Sequence, residues 1–180
     1  IYDNTFPLLF KEGDFIITSP ENVRAMIEVK TAIESGDISE ILVKATKNAS
    51  VAPCSKFNGI FAYERRSIKI KRNDINQNLK DSLIESNGEV NHICLGKDMF
   101  IKFWGIGEKQ QNNLDRIYSF YEIEDLAFSY FISNLIERIA PDKVFDKSWF
   151  LYPIDNQHGK EFYKVRDLIL SNEENHIHIT

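Results

Sequence analysis

RAMIEVKT, residues 24–31, is an apolar run with two opposite charges set into it. Ala25, Met26, Ile27 and Val29 make it apolar enough for an interior strand of a sheet. Residues two apart on a strand share a face. Glu28 and Lys30 therefore project side by side, while Ile27, Val29 and Thr31 point the other way. Burying a carboxylate or an ammonium without a partner is costly, so a charged pair in such a strand calls for a reason. Metal-dependent phosphodiester cleavage supplies one: the carboxylate holds a hard cation, and the lysine orients the attacking water and offsets phosphate charge. E-x-K is a common tripeptide, and most copies lie on solvated helices. This copy ends an apolar run instead. It is bounded by turn residues, Ser19-Pro20-Glu21-Asn22 before and Glu34-Ser35-Gly36-Asp37 after, and a helical pattern follows.

Strand, E-x-K and helix together resemble the second half of the PD-(D/E)xK nuclease signature, the restriction-endonuclease-like superfamily. Ile1-Tyr2-Asp3, then Pro7-Leu8-Leu9-Phe10, then Asn22 through Thr31 are similar to a bacterial domain family within it. In that family an "IDI-hydrophobic-YD" strand precedes a Pro-containing loop and "V-x-A-hydrophobic-IEVKT/S". The likeness covers residues 1 to 65 and is architectural beyond them. It implies an α/β fold with a mixed central sheet flanked by helices, and a Mg2+-dependent (or Mn2+-dependent) nuclease. DNA is the expected substrate, in a setting of bacterial defence or restriction. Glu28 and Lys30 would be catalytic, with Glu28 also a metal ligand. The family's metal-binding aspartate aligns before residue 1. Within the chain Asp3 is the nearest candidate, and Asp14, fourteen residues ahead of Glu28, is a second; the alternative for Asp14 is a turn residue beside Gly13.

The 180 residues are one domain's worth of chain, and 43% hydrophobic with 27% charged content is ordinary for a globular protein. We read residues 1–104 as the core and 105–180 as a C-terminal helical extension, in which additional α/β elements are expected. The chain opens on Ile1 rather than Met and is read as a piece of a longer protein. No apolar run is long enough for a bilayer and no signal peptide is visible. Cys54 and Cys94 lack metal-ligand spacing and suit a reducing cytoplasm. The net charge of -5 excludes a generally basic nucleic-acid binder, but the charge is uneven. Residues 44–80 carry nine basic side chains against two acidic ones. Lys44, Lys47, Lys69, Lys71 and Arg72 from this stretch are the expected phosphate contacts.

Along the chain, Gly13-Asp14 predicts a turn beside a short strand at residues 15–18. Ile38, Ile41, Leu42 and Ala45 recur at helical spacing over residues 37–49, with Asp37, Ser39 and Glu40 as capping residues. Residues 57–64 read as the next strand, reached by a parallel crossover. Residues 67–72 alternate apolar and basic, and 74–86 read as a helix closed by Asn87-Gly88. Residues 89–104 read as a hairpin turning at Gly96-Lys97-Asp98, with His92 as a structural histidine. Residues 117–121 are strand or loop, 123–139 a helix, and 160–170 a final amphipathic helix. Trp149, Phe150, Tyr152 and Pro153 pin the chain by packing. His176 and His178 are too few for a metal site.

Two rival functions stand beside the nuclease. One is a nuclease-fold module that does not cleave and binds nucleic acid or a partner protein, with Glu28 and Lys30 as a structural ion pair. The other is an interaction domain whose aromatic residues between 118 and 153 form an interface in a homodimer or larger complex.

Overall fold

In the computed structural model the described residues are 1–71, 74–106, 108, 116–141, 153 and 163–170. They form a mixed six-stranded sheet with helices on both faces, as the α/β reading expects. A short antiparallel pair, β1 (Phe10–Glu12) and β2 (Phe15–Ile17), turns at Gly13-Asp14. β3 (Ala25–Glu34) carries the E-x-K motif. α1 (Ile38–Val51) crosses over to β4 (Phe57–Arg66), which pairs parallel to β3. β5 (Ile70–Lys71) and β6 (Asp74–Ile75) make a second small pair ahead of α2 (Gln77–Ser86). β7 (His92–Leu95) and β8 (Met99–Trp104) are the expected hairpin. β9 (Arg116–Glu122), α3 (Ala127–Ile139) and β10 (Lys164–Leu170) complete the described chain. The strand order is β10-β9-β8-β7-β4-β3, with β3, β4 and β7 parallel and the rest antiparallel.

Alternation sorts the core into two layers. Ile60 and Ala62 of β4 join Ile38, Leu42, Leu79 and Leu83 of α1 and α2. Phe57 of the same strand faces the other way and joins Phe131 and Leu135 of α3, with Phe61 packed alongside. Gly59 lies between these rings, where a Cβ would come within 2.8 Å of both Phe131 and Phe57. Asn76 caps α2 by accepting the Leu79 N–H at 3.1 Å, and Asn87 ends it in the left-handed conformation. Asp37 stands at the start of α1 but makes no side-chain capping bond.

Among the described residues β3 borders the six-stranded sheet, and Ile1 and Tyr2 pair with its far side at Ala25 and Val23. Two expectations are corrected. Residues 164–170 are strand rather than helix, because KVRDLIL pairs antiparallel with β9 over six registered positions. Residues 74–75 pair with β5, so α2 begins only at Gln77. The stretch beyond residue 105 supplies the expected C-terminal α/β elements, with β9 and β10 joining the same sheet and α3 between them. Tyr118, Phe120, Tyr121 and Phe131 are all buried in the core, which removes them from any oligomer interface. Residues 160–162, Trp149, Phe150, Tyr152, His176 and His178 lie outside the described residues; Pro153 is buried. No helix among the described residues is long and apolar enough to cross a membrane.

Candidate functional site

The site grows out of the pairing of β3. Glu28 and Lys30 are in register with Ile60 and Ala62, the residues of β4 that face α1. Paired residues of parallel strands point to the same side, so Glu28 and Lys30 also face α1. There the Lys30 Nζ lies 2.9 Å from Glu28 Oε1, and Lys44 Nζ, coming down from α1, lies 2.9 Å from the same oxygen. The Glu28 side chain is only 16% exposed, whereas that of Lys44 is 58% exposed. Hydrogen bonds from Lys30 and then Lys44 hold the Glu28 carboxyl below its ordinary range, against the opposing effect of burial.

Beside this cluster is a cavity of about 70 Å³, lined by Met26, Glu28, Asn48, Asn58 and Val90 among others. Asn48 follows Lys44 by one helical turn and shares its side of α1. Asn58, in register with Met26, is buried, and its Oδ1 has no hydrogen-bond partner among the described residues. A buried acceptor left over in this way marks a position where a water, an ion or a ligand donor belongs.

The far side of β3 is paired at its start by the first residues of the chain, Tyr2 bridging antiparallel to Val23. Ile1 exchanges backbone bonds with Ala25, its amino group donating to Ala25 O at 2.8 Å and its carbonyl accepting from the Ala25 N–H at 3.2 Å. Backbone groups of alternate residues point to the same side of a strand, so those of Ile27, Val29 and Thr31 face the side on which Ile1 pairs. Val29 is 57% exposed.

The other expected residues are dispersed. Asp3 accepts from Thr5 Oγ1 at 2.6 Å and from Arg24 Nη2 at 2.8 Å, and its carboxyl falls to about 2, through the Thr5 bonds first and Arg24 after them. Its N–H bonds Asn22 O, six residues from Glu28 and thus roughly 20 Å along an extended strand. Asp14 is exposed at the β1–β2 turn. Lys47 lines a different cavity, between α1 and α2, with Thr46, Ser82 and Ser86. Lys69 and Lys71 are exposed on the β5 side, where β5 packs against β10. That strand lies five spacings of about 4.8 Å from β3, roughly 24 Å. Arg72 lies outside the described residues.

Mg2+ takes one or two carboxylates and completes its shell with water and substrate phosphate. Glu28 fits such an ion as a single acidic ligand, with the Asn48 and Asn58 amides lining the same cavity. Among the described residues no group of three or more His, Cys, Asp or Glu side chains gathers. No protein-family model matches the chain, and no curated protein matches it.

The motif reading did not place Asn48 or Asn58 in the site. Nothing in the neighbourhood of Asn58, FNGIF, marks it; only its register beside Met26 does. Lys44 was expected among the phosphate contacts, but its bond to Glu28 was not legible.

Proposed function

We propose that the chain is a metal-dependent nuclease that hydrolyses phosphodiester bonds, most simply those of DNA. One observation carries the reading: Glu28 and Lys30 stand on one face of β3, joined at 2.9 Å, beside a small cavity into which the buried Asn58 brings an Oδ1 with no partner among the described residues. Glu28 would hold a Mg2+ or Mn2+ ion, which when bound polarises the phosphate and acidifies a water. Lys30 would position that water and offset the charge that develops on the phosphate. The resemblance of residues 1–65 to the PD-(D/E)xK nucleases supports the same roles.

A second reading is a nuclease-fold module that binds without cutting. It is favoured by the Glu28 carboxylate being engaged by two lysines, with no group of three or more His, Cys, Asp or Glu side chains gathered among the described residues. A cleavage assay on plasmid and single-stranded DNA separates the two. The protein is compared with Glu28→Ala and Lys30→Ala, in Mg2+, in Mn2+ and in chelator. The nuclease reading expects metal-dependent cutting that falls at least about a hundredfold in both variants. Cutting that survives in both, or none by the folded protein under any condition, sinks it.

A further inference from the structure

We propose that Lys30, Lys44 and Asn48 form a phosphate subsite that needs no metal, and that the Glu28 carboxylate occupies the place a phosphate oxygen would take. This rests on the nucleic-acid part of the reading above and is independent of whether the chain cleaves.

Charge is the first ground. Two ammonium groups converge on one oxygen atom, each at 2.9 Å, so the cluster carries two positive charges against one negative. Lysines that share a single anionic oxygen are arranged as they would be around a phosphoryl oxygen, since carboxylate and phosphate oxygens accept the same charge-assisted bonds. The excess positive charge is left for a further anion.

Access is the second. Lys44 is 58% exposed and Lys30 33% exposed. An incoming phosphate meets the ammonium groups without crossing the core. Asn48, one turn along α1 from Lys44 and lining the adjoining cavity, offers an amide N–H for a second phosphate oxygen. Lys47, only three residues from Lys44, faces the α2 side instead, which makes it an internal control.

The assignment predicts opposite signs for neighbouring substitutions. In chelator and low salt, binding of a fluorescein-labelled single-stranded oligonucleotide is followed by anisotropy. Lys44→Gln is expected to weaken binding about fivefold to tenfold, and Lys44→Arg to restore most of it. Glu28→Gln is expected to tighten binding several-fold, because it frees two lysines and removes the competing anion. Lys47→Gln is expected to stay within about twofold of the parent protein. Inorganic phosphate is tested separately by its protection against thermal unfolding, in the parent protein and in Lys44→Gln. Lys44-dependent binding of either probe supports the subsite, and the probe that binds identifies its source, a nucleic-acid backbone or a free phosphate.

The proposal is overturned if neither probe binds, if Lys44→Gln behaves like Lys47→Gln, or if folded Glu28→Gln binds more weakly than the parent. Circular dichroism of each variant establishes that it is folded. Metal-dependent cutting that persists unchanged in Lys44→Gln would remove the subsite and leave the nuclease reading intact. Lys44-dependent binding with no cutting would do the reverse.

Discussion

Two lysine clusters lie on opposite faces of the same sheet, and they are built on different principles. On the α1 face, Lys30 and Lys44 share the Glu28 carboxylate. On the α3 face, Lys102 is 4% exposed; its Nζ donates to Asn134 Oδ1 at 2.7 Å and sits 4.2 Å from the centre of the Trp104 ring. His92 stacks on Phe57 at 4.4 Å and meets the same Asn134 oxygen at 3.2 Å. Burial, ahead of the repulsion from Arg138, brings the Lys102 ammonium down to about 7. Burial, followed by Lys102, also holds His92 well below its ordinary value. The inner lysine is desolvated in the core. The outer lysines share a carboxylate and lie open to solvent. Only the outer one is fitted to hold an anion.

The comparison breaks most directly at Asn134. This residue is fully buried, and besides meeting Lys102 and His92 it donates to Tyr130 O at 2.7 Å. Asn134→Leu takes the amide from all three and is expected to cost about 3 kcal/mol of stability in urea unfolding, since buried polar groups that lose a partner carry their desolvation penalty. A cost below about 1 kcal/mol would mean that the inner cluster is not part of what holds α3 to the sheet.

A slope with pH comes next. The folded value of Lys102, about 7, lies below the ordinary lysine value of 10.5. Between these two values the unfolded chain binds a proton that the folded chain does not, so stability rises with pH across the window, by up to about 1 kcal/mol per unit. Below about 7 both states are protonated and the penalty is constant. Lys102→Met is expected to flatten this rise relative to the parent, as read by denaturant midpoints at several pH values. Equal slopes in the two proteins would show that Lys102 stays charged inside. His92 adds a second window: its folded value is depressed, so its contribution is complete above 6.5 and is lost as pH falls from there.

Parts of this arrangement were legible in the chain and parts were not. The E-x-K strand, the crossover to residues 57–64 and the hairpin at Gly96 follow from local patterns, because turns, caps and periodicity are short-range. The neighbours of β3 are not local, since Ala25-Met26-Ile27 reads the same in the middle of a sheet as at its border. Residues 164–170 carry apolar positions that suit either period, and pairing with β9 settled them as strand. His92 was read as structural, and it is buried against Phe57. The depressed Lys102 left no trace, because a single lysine among MFIKFW is equally an outward-facing residue until α3 covers it. The Glu28–Lys30 pair was legible because both of its members lie on one strand. Lys44 lies across a helix, and its meeting with Glu28 depends on where α1 lands.

The smallest effect sharpens the comparison furthest. Glu28 lies in a partly exposed cluster, and ion pairs of that kind contribute about 0 to 1 kcal/mol. Glu28→Gln is therefore expected to change neutral-pH stability by less than about 1 kcal/mol. Its carboxyl is held below the model-peptide value of 4.5 by Lys30 and Lys44. The stabilisation it brings is thus complete above 4.5 and fades as pH falls through the lowered value. The parent and Glu28→Gln should accordingly differ most at neutral pH, by a small amount, and converge in acid, as thermal midpoints in a buffer series would record. If Glu28→Gln instead cost as much as Asn134→Leu, the three charges would be there to hold α1 on β3, and the outer cluster would be structural like the inner one. A small cost means that folding scarcely needs this cluster, as the proposed anion-binding role of two lysines around one carboxylate expects.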